Sequence, residues 1–183
     1  MEQVVKARWQ NWEGDTTENI TLRETEEGIF IESTIRSKGK EDFTAKYSIA
    51  CDGSWRVRKV KIGLTEKEEK LELESDGRSR WSDGSGVMTE LDGAIDIDIS
   101  VTPFTNSLPI RRLELDAGQS AEISVVYITV PDLDISLDGQ RYTCIVPNKL
   151  YRFESLDDNF VREIEIDEYG LVLLYPGLFR RIA

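Results

Sequence analysis

Two aspartates and two arginines are the side chains of this sequence best suited to chemistry. Asp96 and Asp98 stand two residues apart in an Asp-Ile-Asp-Ile run, and Arg111 and Arg112 follow within the same stretch. On a strand, such aspartates project from one face at a spacing of roughly 7 Å. That arrangement suits paired-carboxylate glycoside hydrolysis, part of an oxygen-liganded Ca²⁺ site, or a sheet face that is salt-bridged to the arginines. The residue pattern leaves these alternatives open.

A proline-bounded segment, TPFTNSLP (102–109), separates the two pairs. Proline fixes φ and removes a backbone donor, so we predict a rigid turn here, with both arginines on the next element. Such a turn serves architecture, or it holds Phe104 or Asn106 in a fixed pose over a cavity. The nearby arginines are expected to lower the pKa of both aspartates, which argues against an acid catalyst at this position.

The chain contains no histidine, which narrows the chemistry further. Ser-His-Asp and Cys-His catalysis and imidazole zinc sites are excluded. Cys51 and Cys144 are far apart in the sequence and have no neighbouring Cys or His, so we expect two reduced, buried residues. The sequence predicts no metal site and no cofactor.

Composition bounds the class of protein. With 183 residues, the chain is long enough for one domain, which we expect to span residues 1–183. A net charge of −12 would repel a phosphate backbone, so nucleic acid is excluded as a partner. The sequence shows no secretory signal and no stretch as long as a membrane span, which predicts a cytoplasmic protein without stable membrane insertion.

The segments that must position these residues are predicted to be strands. Short β-branched and aromatic runs alternate with turns that contain Asp-Gly, including Asp52-Gly53, Asp76-Gly77 and Asp138-Gly139. In residues 55–62 the apolar positions change from one face of the strand to the other, which indicates a β-bulge or a bending strand. The N-terminal part up to Gly28 is polar, and we expect it to form an edge. The fold class predicted is all-β, with few or short helices.

Five segments, taken in order, resemble the bacterial putative glycolipid-binding domain family. They are YSIACDGSWRVRKV (47–60), the isolated Trp81, LDGAIDIDISVTPFTNSLPIRRL (91–113), PDLDISLDGQRYT (131–143) and DEYGLVLLYPGL (167–178). The resemblance covers nearly the whole chain, and its most specific part is the segment that contains the aspartates and arginines. It implies a strongly curved antiparallel sheet, shaped as a barrel or half-barrel similar to bacterial lipoprotein and glycolipid carriers.

The resemblance also implies which residues share a pocket. They are Trp55, Trp81, Asp96, Asp98, Asn106, Arg111, Arg112 and Tyr142, to which the rigid turn adds Phe104. The leading hypothesis is noncovalent binding of a glycolipid or another amphiphile, with the lipid on the curved sheet and the Asp/Arg cluster on a sugar or phosphate head group. The alternatives are a hydrolase acting on a glycoside or ester through Asp96 and Asp98, and a purely structural or interaction domain.

Overall fold

Fifteen strands and one α-helix make up the described chain, which in this computed structural model comprises residues 2–39 and 41–183. The elements are β1 (Gln3–Asn11), β2 (Thr16–Thr25), β3 (Gly28–Lys38), β4 (Asp42–Cys51), β5 (Val57–Leu64), β6 (Lys70–Ser75), β7 (Trp81–Asp83), β8 (Gly86–Val87), a 3-10 turn (Thr89–Leu91), β9 (Asp96–Ile99), α1 (Phe104–Leu113), β10 (Ser120–Ile128), β11 (Ile135–Val146), β12 (Leu150–Ser155), β13 (Val161–Ile166), β14 (Val172–Tyr175) and β15 (Phe179–Ile182).

All fifteen strands belong to one sheet, in the order β8-β7-β6-β5-β4-β3-β2-β1-β15-β14-β13-β12-β11-β10-β9. Within the described residues, every neighbouring pair is antiparallel except β9 and β10, which run parallel. The sheet is strongly curved, but its end strands β8 and β9 do not pair, so it is a half-barrel and not a closed barrel. The predicted all-β class with few helices is confirmed.

Alternating side chains give the sheet an inner, buried face. In β3, Ile29, Ile31 and Ile35 are almost completely buried, whereas Phe30 and Glu32 point outward. The helix α1 lies against this inner face, where its Phe104 and Leu108 belong to the main hydrophobic core. The inner face is therefore occupied by the protein's own helix.

The predicted bulge is confirmed in β5. Ala50 pairs with Lys59 and Cys51 pairs with Val57, so Arg58 is the extra residue opposite β4. The predicted turn at Asp138-Gly139 is wrong, because both residues lie within β11 and pair with Val125 and Ser124 of β10.

The N-terminal segment is not an edge, contrary to expectation. β1 lies in the middle of the sheet, where it pairs with β2 on one side and with β15 on the other. The side chain of Trp9 is fully buried, and its indole N–H donates to the carbonyl oxygen of Val172 over 2.7 Å. β1 therefore contributes a core residue, which the polar composition of the segment did not reveal.

The predicted rigid turn is largely an α-helix. α1 begins at Phe104, whose backbone N–H donates to Oγ1 of Thr102 over 3.0 Å, and Pro109 lies inside it. A proline in a helix interior costs stability. Here seven successive residues, 104–110, are buried, so packing outweighs the unfavourable local sequence.

Two further features concern chemistry and membranes. Cys51 and Cys144 are both buried and both free. No helix in the described residues has the length and apolar character required to cross a membrane.

Candidate functional site

Asp96 and Arg112 form a buried ion pair that fastens α1 to β9. Nε of Arg112 donates to both carboxylate oxygens over 3.1 Å, and its second nitrogen, Nη2, donates to Oδ2 over 2.6 Å. The Asp96 side chain is completely buried, and that of Arg112 is 13% exposed. Burial raises the pKa of Asp96, and the guanidinium opposes that rise. This geometry favours the structural interpretation of the pair.

Asp98 is half-buried and is satisfied by neutral donors. Thr105 donates to Oδ1 over 2.9 Å, and the amide of Gln140 donates to Oδ2 over 2.8 Å. Burial raises its pKa, and the two hydrogen bonds oppose the rise. The expectation that arginines lower the pKa of both aspartates is therefore wrong, because desolvation dominates at each position.

Four other predicted site residues belong to the interior. Asn106 donates from its amide nitrogen to the hydroxyl of Tyr142 over 2.8 Å, and both side chains are buried. Trp81 is 1% exposed and donates to the carbonyl oxygen of Ala94, and Phe104 is fully buried. Phe104 and Asn106 belong to α1 itself, and none of these four residues, nor Asp96 or Asp98, lines the cleft described next.

Arg111 has a different environment from Arg112, since it lies in an open cleft. Its guanidinium carbon is 4.6 Å from the ring centroid of Trp55, its Nη1 donates to the carbonyl oxygen of Tyr169 over 3.1 Å, and its Nη2 is 3.8 Å from Glu24. A Cβ atom at Gly170 would lie 2.6 Å from Cδ of Arg111. The glycine therefore leaves the space that the arginine side chain needs.

This cleft has a volume of about 830 Å³ and lies at the C-terminal end of α1. Its walls are Glu24, Gly53, Ser54, Trp55, Arg56, Ile95, Ile110, Arg111, Arg112, Glu114, Leu115, Asp116, Pro147, Asn148, Tyr151, Ile166 and Gly170. Of the predicted residues, it brings together Trp55, Arg111 and Arg112. The others were not predicted as site residues, although Gly53 belongs to the predicted Asp52-Gly53 turn, a signal that indicated a turn but no site.

Unusual backbone conformations concentrate in the walls of the cleft. The non-glycine residues with positive φ in the described chain are Trp55 (62°), Ser79 (129°), Glu114 (47°), Leu133 (59°) and Asn148 (58°). Three of these five, Trp55, Glu114 and Asn148, line the cleft. Strained residues of this kind persist where the surrounding structure holds them, and they cluster at binding sites. Three walls of the cleft are therefore held in uncommon backbone conformations.

A second buried acid, which the sequence analysis missed, lies away from the cleft. Glu18 is 2% exposed and accepts hydrogen bonds from Ser33 (2.7 Å), Tyr47 (2.6 Å) and Thr102 (2.6 Å). Burial raises its pKa to about 7, although all three hydroxyls favour the ionised form. Glu18 thus connects β2 to the chain just before α1. Alternation in residues 16–25 could have indicated its inward position.

No group of three or more His, Cys, Asp or Glu side chains in the described ranges, 2–39 and 41–183, is arranged to hold a metal ion. The aspartates, which are candidate Ca²⁺ ligands by type, are engaged instead by Arg112, Thr105 and Gln140.

Comparison with known proteins gives one family and one solved structure. A family described as "Putative glycolipid-binding" matches residues 6–181. The crystal structure of a DUF1089 family protein from Pseudomonas aeruginosa is 36% identical, with a TM-score of 0.80, and the match covers 90% of this chain and 92% of that chain. No curated protein matches the sequence. Because the family match extends over most of the chain and the solved structure has the same fold, this chain belongs to the family described as "Putative glycolipid-binding".

Proposed function

We propose that this protein binds an amphiphile noncovalently and holds its uncharged, hydroxyl-rich head group in the cleft at the end of α1. The observation that carries the proposal is the cleft itself, whose volume of about 830 Å³ falls within the usual range for small-molecule sites. The family description supports a glycolipid as the ligand. The curved-sheet shape supports a carrier or binding role by analogy alone.

The charges in the cleft favour a sugar over a phosphate. The lining contains three cationic and three anionic side chains: Arg56, Arg111 and Arg112, and Glu24, Glu114 and Asp116. Asp96 already neutralises Arg112. The C-terminal end of α1 adds partial negative charge and carbonyl oxygens that lack helical partners. An anionic group would meet no net positive field here, whereas hydroxyl groups donate to the acids and accept from the arginines.

Arg111 is the side chain best placed to contact a head group. Its side chain is 31% exposed, and Trp55, Tyr169 and Glu24 hold the guanidinium in one position. Trp55 is itself 5% exposed, so it supports the arginine and offers little free ring surface for stacking. Less side-chain freedom is then lost when the ligand binds.

Native mass spectrometry of freshly purified protein tests the proposal, and we expect an adduct of lipid mass. Titration calorimetry with octyl glucoside should show binding, and inorganic phosphate should bind far more weakly. Replacing Arg111 by Ala should weaken octyl glucoside binding by at least about tenfold, because a charge-assisted hydrogen bond is lost.

Arg23→Ala is the matched control. Arg23 is an exposed arginine that also pairs with a glutamate, Glu32, but it lies outside the cleft. This variant should bind like the wild type. An adduct-free spectrum together with no binding of octyl glucoside or of any total lipid extract would overturn the proposal.

The hydrolase alternative gains no support from the geometry. A paired-carboxylate mechanism needs both acids open to substrate and water. Asp96 is completely buried against Arg112, and Asp98 accepts hydrogen bonds from Thr105 and Gln140. Neither aspartate lines the cleft.

A further inference from the structure

A second depression adjoins the cleft, and its walls are more aliphatic. It has a volume of about 460 Å³ and lies where the chain approaches β9 beside the beginning of β10. Four aliphatic side chains from four different segments line it, Ile95, Leu113, Ile123 and Leu156, together with the polar residues Arg112, Glu122 and Ser124. We call this depression the aliphatic groove.

Two glycines line the aliphatic groove. A Cβ atom at Gly93 would meet nothing within 4 Å, and one at Gly139 would lie 3.3 Å from Cβ of Leu156. Leu156 is 42% exposed, and Ile95, Leu113 and Ile123 are half-buried. Exposed aliphatic surface of this kind gains stability when another apolar group covers it.

The cleft and the aliphatic groove share two residues, Ile95 and Arg112. The guanidinium of Arg112 is fixed by the buried carboxylate of Asp96, so the arginine cannot swing away from this boundary without breaking that pair. Its methylene stem is apolar, as arginine stems are. The two depressions therefore meet at Ile95 and Arg112.

The inner face of the half-barrel is already filled. Phe104 and Leu108 of α1 are fully buried there in the main core. In this structure an alkyl chain has no room on that face, although the curved sheet was the place expected for it. The aliphatic groove places four aliphatic side chains directly beside the cleft.

We infer that the aliphatic groove binds the first part of the alkyl chain of the same amphiphile whose head group occupies the cleft. This inference rests on the proposed function. The proposed ligand is a glycoside with an alkyl chain. Its sugar lies at Arg111, and the first methylenes of the chain lie against Ile95, Ile123 and Leu156. Chain atoms beyond the groove extend past the exposed Leu156 into solvent or a partner surface.

A series of n-alkyl glucosides from hexyl to nonyl, used below their micelle-forming concentrations, tests this placement by titration calorimetry. Each methylene that enters the groove should tighten binding about fourfold, which corresponds to about 0.8 kcal/mol per buried methylene. The heat capacity change should become more negative along the series. Methyl glucoside should bind weakly and independently of the groove.

Two variants change the groove without touching the cleft. Leu156→Gln replaces an aliphatic wall, and Gly139→Val places a branched side chain in the groove next to Leu156. Both should flatten the dependence on chain length while methyl glucoside binding stays unchanged. The matched control is Leu173→Gln, because Leu173 is 38% exposed and lines neither depression.

The outcomes separate the two proposals. Glucosides that bind with an affinity independent of chain length, or a chain-length dependence that survives in both groove variants, overturn the groove but leave the head-group cleft in place. Absence of binding along the whole series overturns the groove, and the proposed function falls with it if native mass spectra also show no lipid adduct and no total lipid extract binds.

Discussion

Arg111 and Arg112 are neighbours in the chain but have different partners. Arg112 reaches inward to a carboxylate that water does not touch, whereas Arg111 lies over Trp55 in the cleft. An Asp/Arg salt bridge was one of the alternatives that the residue pattern left open. The sequence could not show which arginine takes part, because that depends on the rotation of a helix that local patterns did not reveal.

Replacing Arg112 by Ala should destabilise the fold strongly. The change leaves Asp96 buried without its cation, and breaking a buried pair in this way costs about 3–5 kcal/mol. Urea denaturation at neutral pH measures the loss. The partly exposed Arg111 serves as the control, since Arg111→Ala should cost about 1 kcal/mol or less. Equal losses in the two variants would contradict the assignment.

Glu18 gives the folding free energy a dependence on pH. Its pKa is about 7 in the folded protein and 4.5 ordinarily, so between these values the folded state holds a proton that the unfolded chain releases. Stability contributed by this proton is complete below about pH 4.5 and is lost as the pH rises to about 7, by about 3 kcal/mol.

Unfolding free energies of wild type and Glu18→Gln, measured by urea at pH 5 and pH 8, test this dependence. Glutamine has no such proton, so the variant should gain stability relative to wild type by up to about 3 kcal/mol between the two pH values. The control Glu32→Gln removes an outward-facing acid that is 65% exposed, and its difference from wild type should stay nearly constant. Parallel pH profiles for wild type and Glu18→Gln would show that Glu18 ionises normally.

At the scale of elements, α1 is the element that the sequence did not predict. Its segment contains Pro109 and a Thr-Asn-Ser run, and it has no apolar stripe. The stripe is missing because the helix is buried on all sides, and its polar residues meet polar partners: Thr105 meets Asp98, and Asn106 meets Tyr142. Hydrophobic periodicity reveals a helix only when one of its faces is exposed to solvent. The strands have an exposed face, which is why their alternation of polar and apolar residues could be recognised in the sequence.

The hydrogen bond between Asn106 and Tyr142 anchors α1 to β11, and its loss should be measurable. Tyr142→Phe keeps the ring but leaves the buried Asn106 amide without its acceptor, which should cost about 1–3 kcal/mol. Urea denaturation gives the value. Tyr169→Phe, at a position 37% exposed, is the control and should be nearly neutral. If the two substitutions cost the same, the contact does not hold the helix.

At the scale of the whole molecule, alternation and turn residues were sufficient to predict the all-β class, whereas the barrel or half-barrel shape was implied only by the family resemblance. The order of strands was not predictable, because β1 and β15 pair across nearly the full length of the chain. No local signal encodes such a pairing. The cleft shares this difficulty, since its walls come from distant turns and the end of α1.

One sheet containing every strand should unfold as one unit. We predict a single domain over residues 1–183, with coincident urea transitions by far-ultraviolet circular dichroism and by tryptophan fluorescence. The four tryptophans all lie before residue 82, so fluorescence reports the N-terminal half while dichroism reports all strands. Two separated transitions would mean that the halves fold independently.

The pairing of β1 with β15 also bears on how the protein is made. A ribosome delivers β1 first among the fifteen strands and β15 last, although the two are neighbours at the centre of the sheet. Until β15 emerges, the growing chain carries two partial sheets with open edges at β1 and β14, where other chains can pair. Completion of the half-barrel therefore waits for Phe179–Ile182, and the edges of β1 and β14 stay unpaired until then.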